Sequence, residues 1–339
     1  MQKTKLQLLA FILALVLMAG MLVSCGETNA PAPTETSTRP GVRTDGKPNK
    51  VALILQGPIS DMSWNTTAYN GLKKIEALGA EIGYTENTPL TSAADAIETF
   101  IENDYNIVFL SSNELQDIAT EAAVKYPHVQ FFLINATYTA DNARSFAISD
   151  VEQRFLMGAL ASLISKTGTV AFIGGMPINP IIKARKGFEQ GARYVNPEIN
   201  IIAQDTGSMD DTNAAKELAR AMVAQGADVL CPVADQSSLG VMEAAEETGV
   251  LAIASGENQN SVAPNAAVVA IVKDTSIAYE AAYKSFLDGK MSAEVLPMGV
   301  REGVIYISDY FLGVDEQVKT QINDIYEKIA AGEITFDLD

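Results

Sequence analysis

Val51-Ala52-Leu53-Ile54-Leu55, then Gln56-Gly57-Pro58-Ile59-Ser60-Asp61, then Met62-Ser63-Trp64-Asn65: an apolar run, a turn and the opening of a helix. Val51–Leu55 has no polar break, as a strand covered on both faces of a parallel sheet requires. Asp61 stands where an N-cap is expected. Trp64, Ala68, Leu72, Ile75 and Leu78 follow at helical spacing, and Gly79 closes the helix. The unit then recurs. Strands are expected at 81–84, 107–110, 129–134 and 145–148, with helices at 93–103, 114–125 and 151–165 between and after them. A second series places strands at 170–173, 199–203, 229–233, 250–254 and 268–272, separated by helices at 181–195, 214–225, 239–247 and 276–287. Alternation at this spacing implies an α/β protein of two Rossmann-like lobes with parallel sheets. A ligand would sit beyond the carboxyl ends of the strands, in the cleft between the lobes.

The body is preceded by two segments of different character. Lys3 and Lys5 open the chain, Leu6–Val23 is almost wholly apolar, and the run closes on Leu22-Val23-Ser24-Cys25. That order is a secretory signal, and the closing tetrapeptide resembles the bacterial lipoprotein cleavage motif. Residues 1–24 are therefore expected to be a signal peptide and Cys25 the lipidated first residue; an uncleaved anchor helix is the alternative. Both readings place the chain outside the cytoplasm, held to the cell membrane or to the periplasmic face of an envelope membrane. Residues 25–49 carry Pro31, Pro33, Pro40 and Pro48 among Thr, Ser and Glu, with Val42 as the only large aliphatic. The composition predicts a flexible linker.

The 24 Lys+Arg against 42 Asp+Glu give a net charge of −18. Affinity for nucleic acid comes mostly from neutralising phosphates, so the excess of acid makes it a poor partner, and the same charge argues that a lipid rather than basic residues holds the chain to a membrane. The single histidine, His128, and the two cysteines, Cys25 and Cys231, rule out polyhistidine and four-cysteine metal sites. Cys231, in a short apolar strand, reads as a buried structural thiol. The turn after the first strand lacks the G-x-G-x-x-G of dinucleotide binding, and neither a phosphate loop nor a G-x-S-x-G elbow occurs. With no catalytic constellation, no metal site and no cofactor motif, the chain reads as a binding protein and not an enzyme.

Gln56–Asn65 resembles the signature of the basic membrane protein (BMP) family, substrate-binding lipoproteins of ABC transporters that are similar to purine-nucleoside receptors. The form Gly-Pro-x-x-Asp-x-x-Trp resembles one subgroup of it. Tyr84-Thr85-Glu86-Asn87, Phe172-Ile173-Gly174-Gly175-Met176-Pro177, Gly187 to Pro197 and Gly299-Val300-Arg301-Glu302-Gly303-Val304 match in order. The resemblance implies the type I periplasmic-binding-protein fold, two lobes joined by a hinge of three crossovers. Lobe one would be 50–150 with a return segment near 273–289, and lobe two the rest of 151–339. It also implies a purine base or nucleoside as ligand, and the permease subunits of an ABC importer as partners. A sensory or surface receptor lipoprotein of the same fold, without a transport role, is the alternative.

The residues singled out for the site each have a plainer reading beside the functional one. Trp64 is either part of the helix stripe or an aromatic wall for a base, which the resemblance favours. Asp61 is a cap or a ligand contact, and Asn65 offers a donor and an acceptor to a purine edge. Asn87 is a turn former or a rim contact. Met209 stands where the family places a stacking Phe; a thioether contacts rings but cannot stack on them. Asp235 follows a strand end, where ligand groups collect. Gly256 replaces an expected aspartate, leaving Glu257 as the neighbouring carboxylate. Lys273 matches a family lysine or forms a salt bridge.

Overall fold

The computed structural model describes residues 39–256 and 259–338. The expected signal peptide, Cys25, the first part of the linker and Glu257 lie outside the described residues.

The first series builds β1 (Lys50–Ile54), α1 (Trp64–Ala77), β2 (Glu81–Thr85), α2 (Leu90–Glu102), β3 (Ile107–Leu110), α3 (Gln116–Lys125), β4 (Gln130–Ile134) and β5 (Ala143–Ile148). The second builds α4 (Asp150–Ile164), β6 (Thr169–Gly174), α5 (Asn179–Val195), β7 (Asn200–Asp205), α6 (Thr212–Ala224), β8 (Val229–Val233), α7 (Ser238–Thr248), β9 (Leu251–Ala254) and β10 (Ala267–Lys273). Then come α8 (Ser276–Asp288), β11 (Leu296–Met298), β12 (Ile305–Ile307) and α9 (Glu316–Ala331). One sheet has the order β11-β5-β4-β3-β1-β2, parallel throughout. The other has the order β12-β10-β9-β8-β6-β7, parallel apart from the antiparallel β10–β12 pair.

Both sheets thus have the doubly wound 2-1-3-4-5 order with one short strand added at the edge, the lobes repeating one plan. In this order the connections reverse direction beside the first strand, between β1 and β3 in one sheet and between β6 and β8 in the other. A crevice opens at the carboxyl ends there. The β1, β3 and β4 strands are buried along nearly their whole length, as their unbroken apolar runs require. In the second sheet Cys231 is fully buried inside β8, a structural thiol as expected.

The chain passes between the sheets at 148–150, 273–276 and 298–305. These passages lie side by side: Ser149 N donates to Met298 O at 2.9 Å and Asp274 N to Val304 O at 2.8 Å. After the second passage, α8 packs on α1, with the Thr67 and Thr275 hydroxyls 2.8 Å apart. The returning segment therefore belongs to the first sheet's layer from Ser276 to Met298, further along the chain than 273–289, while Lys273 stays in β10. Strands β11 and β12 carry no signal that the alternation pattern could read, because three-residue strands have no period.

The linker expectation needs correction over 39–49. Gly41 N donates to His128 O at 2.8 Å, Asn106 Nδ2 donates to Gly41 O at 2.5 Å, and Arg39 Nη1 donates to Phe286 O at 3.1 Å. Arg43 spans Asp45 and Asp104, each at 2.7 Å. Val42 packs against the first lobe's core. The amino ends of the strands leave backbone groups without partners, and this arm supplies them. Its proline-rich composition conceals that role.

Candidate functional site

The carboxyl ends of β1 and β3 face those of β6 and β8 across a cavity of about 420 Å³, within the range typical of small-molecule sites. Trp64, Asn65, Asp61, Asn87, Met209, Asp235 and Lys273 all line it, so seven of the eight residues singled out from sequence come together. The eighth, Glu257, is outside the described residues.

The loop from Gln56 to Asn65 is fixed by Asp61, which is fully buried. One carboxylate oxygen accepts from Ser63 N at 2.9 Å, Thr66 N at 3.0 Å and the Thr66 hydroxyl at 2.9 Å. The other accepts from Asn65 N and Asn65 Nδ2, each at 2.8 Å. Helix α1 starts at Trp64 with Ser63 as its cap residue, yet Ser63 makes no side-chain capping bond. Asp61 satisfies the free amides of the first turn from two residues further back, so the capping role holds and its lone pairs are committed to the protein. Asn65 also accepts from Gly57 N at 3.3 Å, which leaves its amide one free N–H.

Trp64 is half-buried against the first lobe's core, and its indole Nε1 donates to Ser111 O at 2.7 Å. The Lys273 ammonium lies 4.8 Å from the ring centroid, a cation–π contact that covers one face. Lys273 also pairs with Asp150 at 2.5 Å, both side chains largely buried, and Asp150 accepts from Asn135 Nδ2 at 3.1 Å. Asn87 is exposed at the rim with φ of 53°, its backbone N–H donating to Gly57 O at 3.3 Å. A turn position with that φ suits asparagine.

The opposite wall is less tied down. Met209 O accepts from Ser237 N at 3.0 Å, and its sulfur occupies the space that a side chain at Gly175 would need. Asp235 has φ of 42°, an unfavourable conformation for a residue with a side chain, and its carboxylate has no hydrogen-bond partner among the described residues. Burial, and then the Asp61 carboxylate, push its pKa up to about 7, against the smaller opposing effects of Lys273 and Arg154.

Sequence reading missed Arg154. It sits in the first turns of α4 at the cavity floor, 4% exposed, with Nη1 donating to Met157 Sδ at 2.8 Å and Nε without a partner. Burial pulls its pKa down to about 10. Within the apolar face of a long helix an arginine reads as a solvated charge, and only its burial marks it. Charge in the cavity is uneven: Asp61, Glu114, Asp150, Asp210 and Asp235 face Arg154 and Lys273. No cluster of His, Cys, Asp or Glu among the described residues is placed to hold a metal ion.

Gly256 belongs to the closure of the two walls. A side chain there would collide with the carbonyl of Met62, whose own φ is 55°. The glycine that replaces an expected aspartate thus lets the backbones of the two lobes touch.

A family described as the PnrA-like substrate-binding proteins of ABC transporters matches residues 48–337. The chain belongs to the Bmp family. It is 27% identical over 294 residues to basic membrane protein A2 of Borrelia garinii subsp. bavariensis, covering 84% of this chain and 87% of that protein. It is 26% identical over 289 residues to a purine-binding protein of Brucella abortus, covering 84% and 82%. Among solved structures, an ABC-transporter solute-binding protein of Aeropyrum pernix K1 superposes with a TM-score of 0.76 at 22% identity, covering 86% of this chain and 94% of that one. Its fold is that of the two-lobed solute-binding proteins, and the Bmp assignment makes this chain a substrate-binding protein in type.

Proposed function

We propose that this Bmp protein is the substrate-binding component of an ABC importer, held outside the cytoplasm by a lipid on Cys25, and that it closes its lobes on a purine base or nucleoside. The observation that carries the ligand reading is Trp64: one aromatic ring, fixed by Ser111, standing in a cavity where the switch points of both lobes meet. Base–aromatic stacking contributes about 1–3 kcal/mol. The purine-binding relative supports the same reading. Asn65, Asn87, Met209, Asp235 and Lys273 would complete the contacts, with Asp61 holding the loop that presents Trp64. Ligand touching both lobes stabilises the closed state, and that state is what a permease would recognise.

Mass spectrometry of small molecules released on denaturing the purified protein tests the ligand, followed by calorimetry with the compound found. A purine at one per chain supports the reading; a sugar, amino acid or peptide overturns it. For the anchor, Cys25→Ser is expected to leave the membrane fraction. If the variant still fractionates with membrane at its mature mass, the lipid reading is wrong.

A further inference from the structure

We propose that Asp235 makes this cavity select a purine edge with two adjacent donors, the N1–H and 2-amino group of guanine, over the edge of adenine, an inference that rests on the purine reading above. Five acidic side chains line the cavity against Arg154 and Lys273, so acceptors are in excess. Most of them are spent. Asp61 holds the donors of its own loop, Asp150 pairs with Lys273 and accepts from Asn135, and Asp210 accepts from the Ser208 hydroxyl at 2.5 Å. The side chains of Asp235 and Glu114 make no hydrogen bond or ion pair with any other described residue. Glu114 hangs on the single turn Asn113–Leu115 by one more methylene. Asp235 opens the turn Asp235–Ser237 straight after β8, on a shorter side chain and with φ of 42°. Backbone strain of that kind persists only where the surroundings impose it, and it gathers at ligand clamps.

The carboxylate is open to the cavity. Asp235 is half-buried and lines it, and its oxygens, unlike Arg154 Nε, are not sealed from solvent. The charges that bear on it are Asp61 on the opposite wall, Lys273, Arg154 and Asp150, all of them lining the same cavity. An ionised carboxylate only accepts, and its two coplanar oxygens match two parallel N–H groups. Guanine presents such a pair along one edge, N1–H beside the 2-amino group. Hypoxanthine keeps N1–H and lacks the amino group. Adenine presents the ring acceptor N1 beside its 6-amino group, which sets acceptor against acceptor at one of the two positions. Stacking on Trp64 is blind to this difference, because every base has a π-face. The edge therefore decides.

Equilibrium dialysis of the intact protein against guanine, hypoxanthine and adenine, and against their nucleosides, tests this at about pH 8, above the carboxyl's pKa of about 7. The guanine compound is expected to be held roughly 5- to 150-fold more tightly than its adenine counterpart, with the hypoxanthine compound between them. Asp235→Asn puts a donor where one oxygen was, a pairing that suits the adenine edge, and is expected to bring the guanine-to-adenine ratio to one or below. Equal or tighter binding of adenine, no difference between guanine and hypoxanthine, or an unchanged ratio in folded Asp235→Asn overturns the inference while leaving the purine reading standing. A ratio that collapses in Glu114→Gln and survives in Asp235→Asn overturns it too. If no purine binds the wild-type protein, both fall. Should Asp235→Asn not fold, the ligand panel on the wild-type chain decides alone.

Discussion

The two walls of the cavity are built on one plan and finished differently. Each is the switch point of a sheet with the same strand order, β1 and β3 on one side, β6 and β8 on the other. On the first side Asp61 accepts five hydrogen bonds, Asn65 is tied to Gly57, and Trp64 to Ser111. On the second, Asp235 has no hydrogen-bond partner among the described residues and an unfavourable φ, and the cavity is lined there by the thioether of Met209. The first wall is preorganised, its polar groups spent on its own loop, and it holds an aromatic face in place. The second keeps polar capacity unspent and a strained residue in the site, where a ligand would satisfy it. An ordered surface and an unsatisfied one serve different ends, the first lowering the entropy lost on binding and the second supplying discrimination.

The contrast breaks most sharply at the two aspartates. Asp61→Ala is expected to cost roughly 3 kcal/mol of stability, since it removes the first-turn cap and a set of buried charge-assisted bonds. Asp235→Asn is expected to leave stability within about 0.5 kcal/mol or to raise it, because asparagine accepts positive φ and carries no charge. Chemical denaturation of both variants checks this. Equal losses would mean that the two walls are ordered alike.

Trp64 comes next. Trp64→Ala is expected to weaken purine binding by about 1–3 kcal/mol, toward the upper end because Met209 offers no second stacking face. Its packing and its bond to Ser111 mean that stability also falls, so Trp64→Phe is the sharper variant: it keeps a ring and is expected to retain most of the affinity. Calorimetry gives the affinities and melting curves the stabilities. The wild-type indole, the only tryptophan in the chain, reports ligand through its emission. Full affinity in folded Trp64→Ala protein would remove the ring from the site.

Gly256→Ala addresses the contact between the walls. A methyl group there would collide with the Met62 carbonyl where the two walls touch, so overpacking is expected to weaken binding roughly tenfold. Small-angle scattering with saturating ligand should show a larger radius than wild type. An unchanged affinity would mean that the lobes need not approach so closely.

The last effect is one of pH. Asp61, Lys273, Arg154 and Asp150 face Asp235, whose folded pKa of about 7 lies above its ordinary 3.8. The folded state then holds a proton that the unfolded state has lost between those values, so this residue's contribution to stability falls as pH rises from 4 to 7. In ligand-free protein the melting temperature of Asp235→Asn should gain on wild type across that interval and stay level above it. Parallel curves would show that Asp235 ionises normally.

How much of this could be read beforehand differs by element. Unbroken apolar runs such as Val51–Leu55 and Val229–Val233 announced buried strands, and the stripe from Trp64 to Leu78 announced α1. The arm at 39–49 was misread because its role is to supply backbone partners, which composition does not record. Strands β11 and β12 were too short to have a period. In the site, residues at strand ends and in the first loop were legible from position. Arg154 was not, since a charge on an apolar helix is conspicuous only once the neighbours that bury it are known.

By itself the sequence determined the repeated strand–helix alternation, the parallel sheets and the doubly lobed build. These depend on local periodicity and on short motifs, and neither needs distant residues. Only the tertiary structure decided which polar groups are spent and which are free: Asp61 saturated, Lys273 over the Trp64 ring and paired with Asp150, Arg154 buried with its Nε unpartnered, Gly256 against Met62. Burial and partnership are set by residues far apart in the chain, and a side chain's chemistry in a site is what its neighbours leave unused.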